Sequence, residues 1–578
     1  MFIFFLYAHA CIWKYPRTRL SGRAAGKGAC SCPIEGAGRH IFSQGFAGFC
    51  QEQRFFYERR RTEQRRRGSG MEKRRLVRNR RRIYLGTVVL VILLNAAAWN
   101  STAFSDWYIA HIFPLWVNTY GRVTGIFPFS VGEGLLGAGA VLIICAAVFG
   151  VLWIIIWIMK LARMLYSAGR LRKSDWPGRR PKDAAESFGA EARVRGIAEG
   201  ARAAGGEKRR EIRRFRRFSR GFGIFFAWTF LIVCLVMTLN CFVLYHASTF
   251  SEQYFGEDEG DYTLAELIRV YNLVAENCNR LAGVIERDES GMAVYTGSYS
   301  ETGGVRHDGR AGDEGKAGNE SRAGDYGPEE EKGLLLDMED KARELMRRLG
   351  SSYPQLDGYY PRPKALWSSD FMCQQHMQGY YFPFSMEANY NDVMHILNKP
   401  ATMCHELAHL RGYIYEDEAN FISYLACVQS EDVFFQYAGY LSVLVYLNND
   451  LYKAWEEERA AYEEAVEEIR PVTVDNRVWE DNLFVTEEEW ERINGKALID
   501  TEIVDKAADV LIDTNLKVHG IADGKISYSR VVRLLLQYYR GGKSAGFVPK
   551  RQDRILERHY RLCYNQSTKS TGKGENVS

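Results

Sequence analysis

Three stretches carry no charged residue over 21, 26 and 25 positions: "YLGTVVLVILLNAAAWNSTAF", "GLLGAGAVLIICAAVFGVLWIIIWIM" and "GFGIFFAWTFLIVCLVMTLNCFVLY". Each is long enough to cross a bilayer as a helix, which takes about 20 residues. They predict spans at about 84–104, 134–159 and 221–245. Beyond 246 the pattern changes. "TLAELIRVYNLVAENCNRLAGVIER" places apolar residues at helical spacing, and Thr263 with Glu266 three positions on makes a capping box. Residues 247–287 thus read as a helical stalk. Residues 288–333 are rich in Gly and charge with loose "RAGD/KAGN" echoes; such a segment buries too little apolar surface to order itself and reads as a flexible insert. Helical pattern resumes at 333–350. "LWSSDF" and "GYYFPFSMEA" read as short strands before a helix that follows Pro400. The remainder is helical, with breaks near Pro471 and 520–524. The predicted fold class is α+β, mostly helical: three N-terminal transmembrane helices, then a zincin-like extracytoplasmic domain over 334–547 and a tail at 548–578.

Charge sets the expected orientation. Residues 1–246 hold 40 Lys+Arg against 14 Asp+Glu, and residues 247–578 hold 36 against 57. Seven basic residues in "KRRLVRNRRR" precede the first span, Arg122 alone lies between the first two, and 19 fill 160–220. Basic flanks stay on the cytoplasmic side, so the N-terminus and the 160–220 loop are expected inside and the acidic half outside. The basic loop has few aromatics for stacking bases, which favours anionic lipid over nucleic acid as its neighbour. In the first 70 residues no period is sustained, and Met71 opens the basic flank; they are expected to be a disordered tail or over-extended translation, leaving 71–246 as the membrane domain. The 12 cysteines form no CxxC pair, so neither a disulfide framework nor a thiolate zinc site is signalled.

Candidate chemistry lies in "MCHELAHLRGYIYEDEANF", residues 403–421. Residues four apart share a helix face, so His405 and His409 can offer two imidazoles to one Zn²⁺. Glu406 is placed to act as general base, and Gly412 suits a left-handed helix end. A second helix then begins near 415–417, and Glu416, Asp417 and Glu418 compete as third ligand. Glu418 heads an apolar stripe with Phe421, Ile422 and Leu425. A buried acid there needs a metal or another partner, so Glu418 is the expected ligand. Cys404 and Cys427 are expected as core thiols. Tyr437, Tyr440 and His519 are candidates to stabilise an oxyanion, Glu387 and Asn389 to support a ligand or bind substrate backbone, and Lys517 or Tyr528 to meet a substrate carboxylate. Packing is the competing role for each. The aromatic stretch "VFFQYAGYLSVLVYL" reads as core or as a face resting on the membrane.

"HELAH...EDEANFISYLAC", "PFSVGE", "YYFPFSMEANYN" and "TNLKVHG...ISYSRVVRLLL" together resemble the membrane protein family catalogued as domain of unknown function 3810, from about 71 to 539. The resemblance implies a multi-span protein with an HExxH zinc-peptidase-like domain. The "EAN" element is also similar to the gluzincin pattern, in which the Glu of an E-A-N or E-x-x-A element supplies the third ligand; carried over, that is Glu418. The chain departs from expectation at Leu410, where a Gln would follow the second histidine. The function expected is a membrane-anchored, zinc-dependent metallopeptidase acting on a peptide or protein outside the membrane, with Glu406 as base. The rivals are a sensor or scaffold with structural zinc, and a zinc amide hydrolase acting on cell-envelope material.

Overall fold

The computed structural model describes residues 75–173, 188–256, 262–297, 328–497 and 529–540, with Thr501, Val504 and Lys506. The first 70 residues, most of the Gly-rich insert, the tail, and His519, Lys517 and Tyr528 lie outside the described residues. Three helices are long and apolar enough to span a membrane: Arg75–Asn100 (α1), Val131–Ala162 and Arg213–His246. The chain divides after Leu93 into two compact units. Of the first, the described part is residues 75–93, within α1; the remaining helices and the sheet belong to the second.

Between the first two spans, Thr102–His111 (α2) and shorter helical turns lead to Val131–Lys173 (α3). Ile143, Ile144, Trp153 and Ile154 of α3 are all more than half exposed, a surface that suits hydrocarbon rather than water. The third span closes the 50-residue helix Phe188–Met237 (α4). Arg213, Arg214, Arg216, Arg217 and Arg220 precede its apolar run on the same helix. Phe149 of α3 packs among Phe215, Phe218 and Phe222 of α4, with centroids 4.8 to 6.1 Å apart. Beyond Met237, the span ends in a π turn, Thr238–Phe242, and a 3₁₀ turn, Leu244–His246.

The short helix Phe250–Tyr254 (α5) follows, then Leu264–Ala282 (α6). Thr263 and Glu266 close the capping box reciprocally, as their spacing predicts. α6, expected as a stalk, joins the core. Ile268, Tyr271, Val274, Cys278 and Leu281 are buried at helical spacing and face Val433–Glu457 (α10). Asp432 caps α10 through the amides of Phe434 and Phe435. Phe435, Tyr437, Leu444 and Leu447 are fully buried, so the aromatic stripe is core. Pro328–Gly350 (α7) packs against Lys399–His409 (α8) and Glu416–Val428 (α9), and α8, α9 and Ser529–Arg540 (α11) pack in turn around α10.

Against α8 lies a three-stranded sheet in the order β1-β3-β2: Lys364–Ala365 (β1), Gly379–Phe382 (β2) and Glu387–Tyr390 (β3). β1 runs parallel to β3 with Lys364 opposite Asn389; β2 runs antiparallel with Tyr380 opposite Asn389 and Phe382 opposite Glu387. "GYYFPFSMEA" is therefore a hairpin rather than one strand, turning at Met386 with φ +54°. "LWSSDF" is no strand at all. The amides of Trp367 and Ser368 are taken by the Glu133 carboxylate, at 3.0 and 2.8 Å, and Ser369–Cys373 coils into a short helix.

Sheet and membrane helix meet in a buried polar joint. Glu387 accepts from the amides of Val131 (3.2 Å) and Gly132 (2.8 Å), capping α3. It also accepts from Ser385 Oγ (2.6 Å) and Lys364 Nζ (2.5 Å). Lys364 donates further to Thr124 O and Phe129 O, at 2.8 and 3.0 Å. Both charges are buried. With each oxygen and proton engaged, the cost of taking them from water is offset.

Candidate metal centre

α8 begins with Pro400 in its first turn, where a missing amide proton costs nothing. His405 and His409, one turn apart, bring their rings to 4.7 Å. The helix stops at Leu410, and Gly412 turns the chain at φ +93°, a left-handed conformation favoured by glycine. A Cβ on Gly412 would also sit 3.1 Å from an Ile109 methyl of α2. This turn delivers Tyr413 O to His409 Nδ1 at 2.7 Å and starts α9 beside α8.

Three donor atoms converge, from His405, His409 and Glu416, all within 4.8 Å of one another. Glu416 Oε2 lies 3.0 Å from His405 Nε2, and Oε1 lies 3.8 Å from His409 Nε2. The two Nε2 atoms stand 3.1 Å apart. His405 Nδ1 lies 2.8 Å from Asn420 Oδ1, one turn beyond Glu416 on the same face. Both Nδ1 atoms thus face acceptors and carry the ring proton in the neutral tautomer. Both Nε2 lone pairs then point at each other and at a carboxylate. Such a cluster calls for a cation or a proton at its centre. The imidazole and carboxylate donors are those zinc takes, so the residues fit that ion. Glu416 is 55% exposed while His405 and His409 are 13% and 6% exposed, so the cluster opens to solvent on the acid's side.

The third donor differs from the one expected. Residues two apart on a helix point to nearly opposite sides, and Glu418 turns away from the histidines. It accepts from the Phe250 amide at 2.5 Å, in the first turn of α5. The apolar stripe that Glu418 heads is buried, with Phe421, Ile422 and Leu425 at 0% exposure, but Glu418 itself meets a helix N-terminus rather than the histidine cluster. The E-x-x-A form of the gluzincin element, taken literally in "EDEAN", starts at Glu416; that signal, with Asn420 one turn on, was present in the sequence.

Glu406 is 4% exposed, and its Oε2 has no hydrogen-bond partner among the described residues. Burial pushes its pKa up to about 8. Burial lowers His409 to about 4. Burial lowers His405 too, but its contact with Glu416 prevails and lifts it to about 9. Gly379 of β2 lets strand and carboxylate approach: a Cβ there would lie 2.6 Å from Asn389 O and 2.8 Å from Glu406 Oε1. Spacing alone does not reveal this contact.

The remaining candidates fall elsewhere. Glu387 caps α3. Asn389 is buried beside Tyr380 O at 3.3 Å, with its own Oδ1 unpartnered among the described residues. Tyr437 donates to Asp481 at 2.7 Å in the core, and Tyr440 packs edge-on against Tyr424. Leu410, Cys404 and Cys427 are fully buried core residues.

One family model matches the chain over residues 202–536; its description is "Protein of unknown function (DUF3810)". Neither a curated protein nor a solved structure matches.

Proposed function

The chain belongs to the DUF3810 family, and from the geometry of its histidine–carboxylate cluster and the charge of its flanks we propose that it is a membrane-anchored zinc metallopeptidase acting on peptide bonds outside the cytoplasm. His405, His409 and Glu416 would hold the ion. The observation that carries the reading is the convergence of two Nε2 atoms and one carboxylate, with each Nδ1 beside an oxygen. Bound zinc supplies a Lewis acid that polarises a carbonyl and acidifies water. Glu406, buried and with one oxygen unpartnered among the described residues, accepts the proton of the attacking water and passes it to the leaving amine. Asn420 and Tyr413 O fix the imidazole rings and their tautomers. The extracytoplasmic side follows from the basic flanks of the spans.

Metal analysis of the purified full-length chain tests this. Zinc-replete, chelator-free protein should carry about one zinc per chain, and His405→Ala should carry none. Glu406→Gln should keep the metal and lose peptide hydrolysis by about 10²-fold or more. Wild-type protein that emerges without metal overturns the reading. If zinc is bound but Glu406→Gln changes no activity, the site is structural.

A further inference from the structure

Ile126, Phe127 and Phe129 lead into α3, and Trp367 and Phe371 follow β1 far along the chain. Glu133, in the first turn of α3, joins them by holding the Trp367 and Ser368 amides and the Ser368 hydroxyl, the last at 2.6 Å. Phe129 stacks on Trp367, with centroids 5.3 Å apart and 24° between planes, and meets Phe127 at 5.5 Å. The cluster leaves much of its apolar surface uncovered: Ile126 is 78% exposed, Trp367 75% and Phe371 49%. It is continuous with a surface of the same character. Leu136, Val141 and Ile143 further along α3 are also more than half exposed, within the helix apolar enough to span a membrane. Gly134, where the uncharged run begins, is five residues after Phe129 and only about 5 Å along α3 from its first residue, Val131, at 1.5 Å per helical residue. That is the depth at which hydrocarbon gives way to headgroups and where tryptophan concentrates.

We propose that Ile126, Phe127, Phe129, Trp367 and Phe371 form a lipid-contacting belt in the headgroup region, seating the sheet-bearing domain itself on the bilayer. The occupant is lipid rather than a second copy of the chain because the patch extends a face that lipid must already cover. Trp367 belongs to the loop that leads from β1 towards β2, so the belt holds the sheet and its neighbour Glu406 at a set height above the membrane. This inference rests on the spans and is independent of the zinc reading.

The test places a photo-crosslinking residue in the full-length chain, Trp367→p-benzoylphenylalanine, in lipid nanodiscs. A second variant at Phe371 guards against local misfolding, and Leu136 on the span serves as reference. Illumination should give lipid adducts at 367 and 371 within about threefold of those at 136. Adducts at 136 with none at 367 and 371 overturn the proposal, as do crosslinks at 367 and 371 to a second chain in place of lipid.

Discussion

Glu416 and Glu418 are two residues apart and do opposite things. One faces the imidazoles and the solvent; the other is buried against the start of α5. Periodicity correctly put Glu418 on the buried face of α9, but burial is not ligation. What the acid meets there depends on α5, nearly 170 residues earlier in the chain, and no local pattern encodes that. Their substitutions should therefore separate. On the proposed zinc reading, Glu416→Gln should cut zinc affinity at least tenfold with little loss of stability, by competition with a chelating indicator. Glu418→Gln should keep the metal and lower stability by about 1–3 kcal/mol, the penalty for weakening a buried charged hydrogen bond. Asn420→Ala should cost about 10–100-fold in zinc affinity by freeing the His405 ring. Away from the site, Glu339 is buried and accepts from Tyr390 Oη at 2.9 Å. Burial raises its pKa from 4.5 to about 7. Below 4.5 the group is neutral folded and unfolded, and its full contribution is present. Between 4.5 and 7 the unfolded chain ionises while the folded one keeps its proton, so stability falls as pH rises. Glu339→Gln should remove that slope from the thermal midpoint measured across pH 4.5 to 7.

At the scale of elements, the helices were the most legible part. The Thr263 box, the Gly412 turn and the α10 stripe follow from local chemistry, namely side-chain oxygens beside free amides, a residue without Cβ, and a period of about 3.6. The sheet was read less well. β1 is two residues long and is selected by Lys364 reaching the joint rather than by strand propensity, and "LWSSDF" is drawn into a turn by Glu133. "PFSVGE" and "FSMEANY", read as separate motifs, turn out to touch: Glu387 of the second caps Val131 and Gly132 of the first. Replacing one member of this buried pair leaves a lone charge. Lys364→Met should therefore destabilise the chain by about 3–5 kcal/mol, whereas the double change Lys364→Met with Glu387→Gln should recover part of it. A double-mutant cycle on thermal unfolding in detergent reads both. Gly379→Ala should disturb β2 and Glu406 together; if the proposed peptidase reading holds, turnover falls with zinc content unchanged.

Across the whole molecule, the charge split and the three uncharged runs anticipated the membrane helices, because bilayer thickness imposes its own length on a sequence. Composition could not say how closely the rest of the chain follows those helices. Asn240, in the π turn closing the third span, donates to Pro383 O at 2.8 Å; Tyr415 donates to Tyr245 O at 2.6 Å; Asp106 holds Ser248. The orientation expected from the basic flanks has its own measurement. In sealed right-side-out vesicles a membrane-impermeant amine reagent should label Lys453, on the exposed part of α10, and spare Lys160.

The Lys364–Glu387 pair has a consequence for biogenesis. Its oxygen and amide partners, Thr124, Phe129, Val131 and Gly132, are synthesised more than two hundred residues earlier and belong to the threshold of the second span, α3. A shortened gene starting at 247 would translate the histidines and acids intact, yet strand its lysine and glutamate without those companions. Such a fragment should accumulate in inclusion bodies, and co-expressing residues 71–246 should return it to the membrane fraction.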